Sequence, residues 1–361
     1  MKRVRRWLAA LLETPDVLAP RERAEAGDVL ARLGDPRPGA GRGILWVEVP
    51  AGRFRMGSPE GDDMAWDDEH PQHTLDLPGF FISRYPVTNA QYRPFVEDGG
   101  YEEPRYWTLG GWAWRTGQRE PDLSVIDDKD IRTSWAQWLA GRPATRRDRP
   151  FWWDQSPWNL DSRPVVGVSW YEAVAFCAWL AEQFEARNWV LDLWPSGSSS
   201  AIRASSHVTL RVGLPSEAEW EKAARSEFPP AVEGDPGRAR RWPWGDEWIE
   251  GRANTEEAGL GETSAVGIFP AGASPCGALD MAGNVWEWTR SRWGRTSIRR
   301  PDYGYPYEPD DGREEPDGPD LRVVRGGSWS NDQGDARCAF RGGYIPDVYD
   351  GDLGFRVVVS L

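Results

Sequence analysis

No stretch of this chain holds a helical or strand-like period for long before glycine or proline breaks it. With Gly 39, Pro 30 and Trp 23 among 361 residues, the body must be rich in turns, and aromatic side chains must do much of its packing. The tail is the extreme case. Arg325 to Val358 reads RGGSWSNDQGDARCAFRGGYIPDVYDGDLGFRVV, opening on Gly326-Gly327 and closing on Gly354-Phe355-Arg356. Between those ends Phe340, Tyr344, Ile345, Val348 and Tyr349 mix with Gly and Asp in no regular spacing. Apolar content of 39% with 12% aromatics still predicts a folded globule, long enough for one large or two ordinary domains.

Composition narrows the function. A net charge of −14 disfavours non-specific nucleic-acid binding, which draws on clustered Lys and Arg. The cysteines Cys177, Cys276 and Cys338 are odd in number and far apart, with neither zinc spacing nor a disulfide framework. Only His70, His73 and His207 are present, which weighs against histidine acid–base catalysis and histidine-rich metal sites. No run approaches a membrane span. The basic start, Met1 to Arg6, imitates a signal peptide, but its apolar run stops at Glu13 with no cleavage site, so a cytoplasmic protein is expected.

Residues 1–40 read as a short helical segment, with Pro20 to Leu33 apolar at helical spacing and stopped by Gly34 to Gly39. From Ile44 the texture changes to short strands and turns, and a single domain is expected over 41–361. Three capping boxes place three helices: Thr88 with Gln91, Ser169 with Glu172, and Ser216 with Glu219. Cys177 falls on the buried stripe of the second helix. Residues of about 101–161 and 194–206 read as insertions, and Tyr303 to Asp320 as an acidic surface loop.

These pieces resemble the formylglycine-generating enzyme (sulfatase-modifying factor) family. The matching segments include Gly52 to Ser58, Tyr85 to Asn89, Pro164 to Ala173, Gly213 to Trp220, Trp242 to Gly245, Gly283 to Trp288, Arg325 to Trp329 and Gly354 to Arg356, in family order. The resemblance implies an α+β, C-type lectin-like fold with little regular structure. Formylglycine-generating enzymes hold copper on two cysteines just after the Gly-Gly-Ser-aromatic motif. Here Ser330 to Arg337 contains no thiol, and Cys338 matches a later, non-catalytic cysteine. Related iron enzymes of ergothioneine-type biosynthesis add a helical domain with three histidine ligands, for which no counterpart is seen. An oxidase of this kind is therefore the alternative rather than the expectation.

The tail also resembles the variable proteins of diversity-generating retroelements. Their frame of Gly-Gly-Ser-Trp, Arg-x-Ala-x-Arg, a central Pro and a closing Gly-Phe-Arg is matched by Arg325 to Trp329, Arg337 to Arg341, Pro346 and Gly354 to Arg356. Mutagenesis at template adenines reaches most amino acids but not Glu, Lys, Gln, Met or Trp. Every candidate position from Phe340 to Asp352 is reachable. The expectation is a non-enzymatic, ligand-binding protein whose variable region, 325–358, is held by buried anchors at Arg325 to Trp329 and Gly354 to Arg356, with the residues between projecting toward a protein or other macromolecular partner. Its contact set would be Ser330, Asn331, Asp332, Gly334, Asp335, Phe340, Gly342, Gly343, Tyr344, Ile345, Asp347, Val348, Tyr349, Asp350, Gly351 and Asp352.

No cofactor is required by that reading, but the family resemblance implies structural calcium. Asp280 and Glu287 would give carboxylates, with the Gly283 and Val285 carbonyls completing the first site. Asn254, Thr255 and Glu257 would belong to a second site.

Overall fold

The computed structural model describes residues 1–126, 129–186, 190–194, 199–201, 210–227 and 235–360. Its helices are α1 (Lys2–Glu13), α2 (Pro20–Leu33), α3 (Asn89–Glu97), α4 (Leu109–Arg115), α5 (Lys129–Ala140), α6 (Trp170–Ala186) and α7 (Glu217–Arg225). Its strands are β1 (Leu45–Val49), β2 (Gly52–Met56), β3 (His73–Leu77), β4 (Phe80–Ser83), β5 (Val190–Trp194), β6 (Ser199–Ala201), β7 (Arg211–Gly213), β8 (Trp286–Gly294), β9 (Leu321–Arg325), β10 (Gly342–Tyr344), β11 (Leu353–Phe355) and β12 (Val358–Ser360). They form sheets ordered β6-β5-β1-β4-β12-β7, β10-β9-β8-β11 and β2-β3. This is the expected α+β, C-type lectin-like architecture. Among the described residues no helix is long and apolar enough to cross a membrane.

All three capping boxes form. Thr88 and Ser216 each accept from the backbone N–H three residues on, and Gln91 and Glu219 reach back to the cap. Ser169 and Glu172 do the same at 3.3 and 2.7 Å. Glu172 has a second task. Buried with Arg142, it pairs with that guanidinium at 2.6 Å and accepts from the Tyr101 hydroxyl, tying α6 to the segment after α5.

The domain closes by pairing its ends. The final strand β12 lies between β4 and β7, with Val358 opposite both Ile82 and Gly213. The largest core is aromatic, as the Trp-rich composition predicts: Tyr92 stacks on Phe176 at 5.1 Å, and Phe355 meets both rings edge-on. The helices α1 and α2 dock on the body through Leu8, Leu12 and Leu30 against Ala265, Ile268 and Phe269. Gly27 permits that approach, because a Cβ there would lie 2.9 Å from Ala265.

Arginine–carboxylate pairs hold the motif residues in the interior. Arg325 is clamped between Glu217 and Glu221, Arg341 pairs with Glu217 at 2.7 Å, and Arg337 with Glu69 at 2.7 Å. The segment 303–320 is not a purely solvated loop: Tyr307 and Arg313 are buried, with the guanidinium 4.3 Å over the ring. The second insertion expected, 194–206, lies mostly outside the described residues.

Candidate functional site

The expected contact set divides in two. Ser330, Asp332 and Asp350 are exposed, and Asn331, Gly334, Asp335 and Asp352 are half-buried. Phe340, Gly342 and Tyr344 are half-buried as well, but Gly343, Ile345, Asp347, Val348, Tyr349 and Gly351 are buried. The picture of an open patch running from Phe340 to Asp352 is therefore corrected.

Packing supplies the reason. Ile345 and Val348 belong to the main core. The Tyr349 ring stacks on Trp138 of α5 at 4.1 Å and leans on Phe151 at 4.7 Å, and its hydroxyl donates to the Trp138 carbonyl. Gly342 to Tyr344 form β10, bonded to Val324, Val323 and Arg322 of β9. The Trp-rich stretch of about 101–161 folds over this segment through Trp138 and Phe151.

The other half keeps its access. Ser328 Oγ lies 2.6 Å from Asn331 Oδ1 and 2.8 Å from Asp352 Oδ2, and Ser330 Oγ lies 3.0 Å from the same carboxylate oxygen. Asn331 Nδ2 donates to Asp335 at 2.7 Å. Behind the loop, the Gln333 N–H and the Thr255 hydroxyl donate to the two oxygens of Glu257. Trp329 and Trp158 stand 6.0 Å apart at its side, with Trp152 behind Trp158 at 5.8 Å. Burial pushes the Asp335 and Asp352 carboxyls up, and Asp350 adds to the shift at Asp352. Trp158 was invisible as a site residue, because nothing local links residue 158 to residue 329.

The calcium sets do not fit a hard cation. Glu287 is buried and fully engaged, pairing with Arg356 at 2.6 and 2.7 Å and accepting from the Trp220 indole at 2.7 Å. Asp280 accepts the Gly267 N–H at 2.7 Å, and burial raises its carboxyl to about 6. The Gly283 carbonyl accepts from Val285 N–H. Arg356 thus stands where the resemblance calls for metal. In the second set both Glu257 oxygens are occupied, leaving Asn254 Oδ1 as the buried oxygen without a partner. One oxygen is far short of a calcium shell.

Thiol and imidazole chemistry is equally constrained. Cys177, Cys276 and Cys338 are free, and burial raises all three thiols, Cys338 to about 12. His73 is held through both ring nitrogens, by the Pro71 carbonyl and the Tyr307 N–H. His70 bonds the Ser58 carbonyl at 3.0 Å. His207 lies outside the described residues. Among the described residues no group of three or more His, Cys, Asp or Glu is placed to hold a metal ion.

The fold and the solvent-reaching loop after Gly-Gly-Ser-Trp place the protein among the sulfatase-modifying-factor-type domains. The chain belongs to the sulfatase-modifying factor enzyme 1-like domain family, whose profile matches residues 40–361. It is 35% identical to the hercynine oxygenase of Mycolicibacterium thermoresistibile, over 84% of this chain and 56% of that protein. It is 31% identical to the formylglycine-generating enzyme of Mycobacterium tuberculosis, over 68% of this chain and 74% of that one. The chain spans just over half the length of the hercynine oxygenases it matches. Among solved structures, Treponema denticola variable protein 1 superposes with a TM-score of 0.50, covering 87% of this chain and 94% of that one. Its 19% identity shows the shared fold alone.

These relatives overturn the reading of a non-enzymatic, diversified binding protein. The sequence similarity runs to named enzymes, while the likeness to a variable protein stops at backbone shape. The missing cysteine pair weighs against copper chemistry of the formylglycine-generating kind, but it does not decide against an enzyme of a family that also contains an oxygenase.

Proposed function

We propose that this chain is the substrate-holding domain of an oxygen-using enzyme of the hercynine oxygenase kind. The observation that carries this is the network of Ser328, Ser330, Asn331, Asp335 and Asp352 beside Trp158 and Trp329, at the position the family resemblance assigns to catalysis. Carboxylates next to indole faces attract a small cationic or zwitterionic solute, by charge and by cation–π contact. The hydroxyls and the Asn331 amide give direction to that attraction.

None of these side chains exchanges electrons with oxygen. An iron centre of the related enzymes would need ligands beyond the described residues, so the role assigned to this chain is binding and orienting the substrate. Oxygen uptake by the full-length gene product, supplied with Fe(II), hercynine and a thiol, is the direct test. Turnover is expected, with Asp352→Asn raising KM at least about tenfold while kcat changes little. Absence of uptake with any of these substrates would remove the reading.

A further inference from the structure

Beside Tyr349, apart from the network of Ser328, Ser330, Asn331, Asp335 and Asp352, lies a second arrangement of charge. Asp347 is 1% exposed, and among the described residues its carboxylate oxygens find no hydrogen-bond partner beyond its own backbone N–H. The buried Tyr171 hydroxyl is unpartnered as well. A buried polar group normally finds a partner, and a buried carboxylate without one is costly enough to call for an explanation.

The space in front of Asp347 offers one. The carboxylate lines a chamber of about 10 Å³, enclosed by Trp114, Leu139, Arg147 and Tyr349, which has room for one water-sized group. That chamber shares Pro121, Leu139, Arg142 and Arg147 with a groove of about 420 Å³, the size of a small-molecule site. Leu123, Ala136 and Leu139 give the groove an apolar wall.

The charges around the cavity are of both signs. Arg119 and Arg147 pull the Asp347 carboxyl down while Glu120 pushes it up, and burial dominates, raising it to about 6. Arg142 is already neutralised by Glu172. Arg147 bonds the backbone carbonyls of Arg142 and Trp114, and Arg119 lies 5.3 Å over the Tyr171 ring. Among the described residues the acids Asp347 and Glu120 are offset by Arg147 in the lining and by Arg119 outside it, a balance that a zwitterion keeps and a solute of net charge would not.

We propose that this cavity binds a small apolar α-amino acid, its ammonium group donating to Asp347 in the chamber and its carboxylate meeting Arg147 at the throat. The side chain lies along Leu123, Ala136 and Leu139 in the groove. The site is independent of the oxygenase reading and stands or falls separately from it.

Calorimetric titration of the intact protein with L-leucine, 3-methylbutylamine and 4-methylvalerate separates the contributions, because the second lacks the carboxylate and the third the ammonium. The wild type is expected to bind leucine most tightly. Asp347→Asn is expected to weaken leucine and the amine at least about tenfold and to leave 4-methylvalerate unchanged, and Arg147→Gln to do the converse. No leucine binding by the wild type, equal affinity for all three solutes, or undiminished leucine binding by Asp347→Asn would overturn the proposal. Should Arg147→Gln fail to fold, the Asp347 arm decides alone, since that variant removes a buried charge and its melting temperature is expected not to fall.

Discussion

Gly343 shows at one residue why the tail is not a free surface. A Cβ there would lie 2.5 Å from the Trp293 ring, and the strand carrying it is bonded to β9. Overpacking of this kind costs about 1–3 kcal/mol, so Gly343→Ala is expected to lower the urea midpoint by a corresponding amount. If large side chains at 343 were accepted without loss of stability, the buried placement would be wrong. Asp347 makes a prediction of opposite sign. Its folded pKa of about 6 lies above the ordinary 3.8, so between those values the native state binds more protons than the unfolded chain. Stability should therefore fall as pH rises through that window, with the full penalty present above it. Asp347→Asn should raise stability by up to about 3 kcal/mol at neutral pH and by nothing near pH 3, read by denaturant titration across pH.

Among the elements, α5 decides what the tail becomes. Trp138 covers Tyr349 face to face at an interplanar angle of 15°, and the Tyr349 hydroxyl is bonded to the same residue's carbonyl. Trp138→Ala removes the stack and leaves part of Tyr349 facing solvent, for an expected loss of about 2–4 kcal/mol. Hydrogen exchange should show the loosening confined to α5 and 345–351; unchanged protection there would contradict the role given to this helix. The three capping boxes were legible because a cap and its partner lie three residues apart. The contact between Trp138 and Tyr349 spans 211 residues and leaves no local trace.

At the scale of the whole molecule, Arg356 joins distant segments. It pairs with Glu287 in β8 and donates to the carbonyls of Ser83 and Leu279, all with its side chain fully buried. Cutting it to alanine strands the Glu287 carboxylate in the interior, so Arg356→Ala is expected to cost about 3–5 kcal/mol and to lower the melting temperature cooperatively. A local effect with an unchanged midpoint would mean that this pair does not tie the sheets together. The closing Gly354-Phe355-Arg356 was recognisable from sequence as a buried anchor, but its partner was not. The family resemblance implied calcium at Glu287, and a carboxylate's place in a motif does not tell whether the cation it meets is a metal or a guanidinium.

The sequence by itself determined the lectin-like frame, the capped helices and the fixed ends of the tail, because glycine turns, caps and buried arginines act over short range or recur as motifs. Tertiary structure alone decided which side chains between those ends meet solvent. Burial depends on what packs on top, and here the cover comes from a Trp-rich stretch about two hundred residues earlier in the chain. The same cover encloses Asp347 with Arg147 and Tyr349, a grouping that no spacing in the sequence predicts.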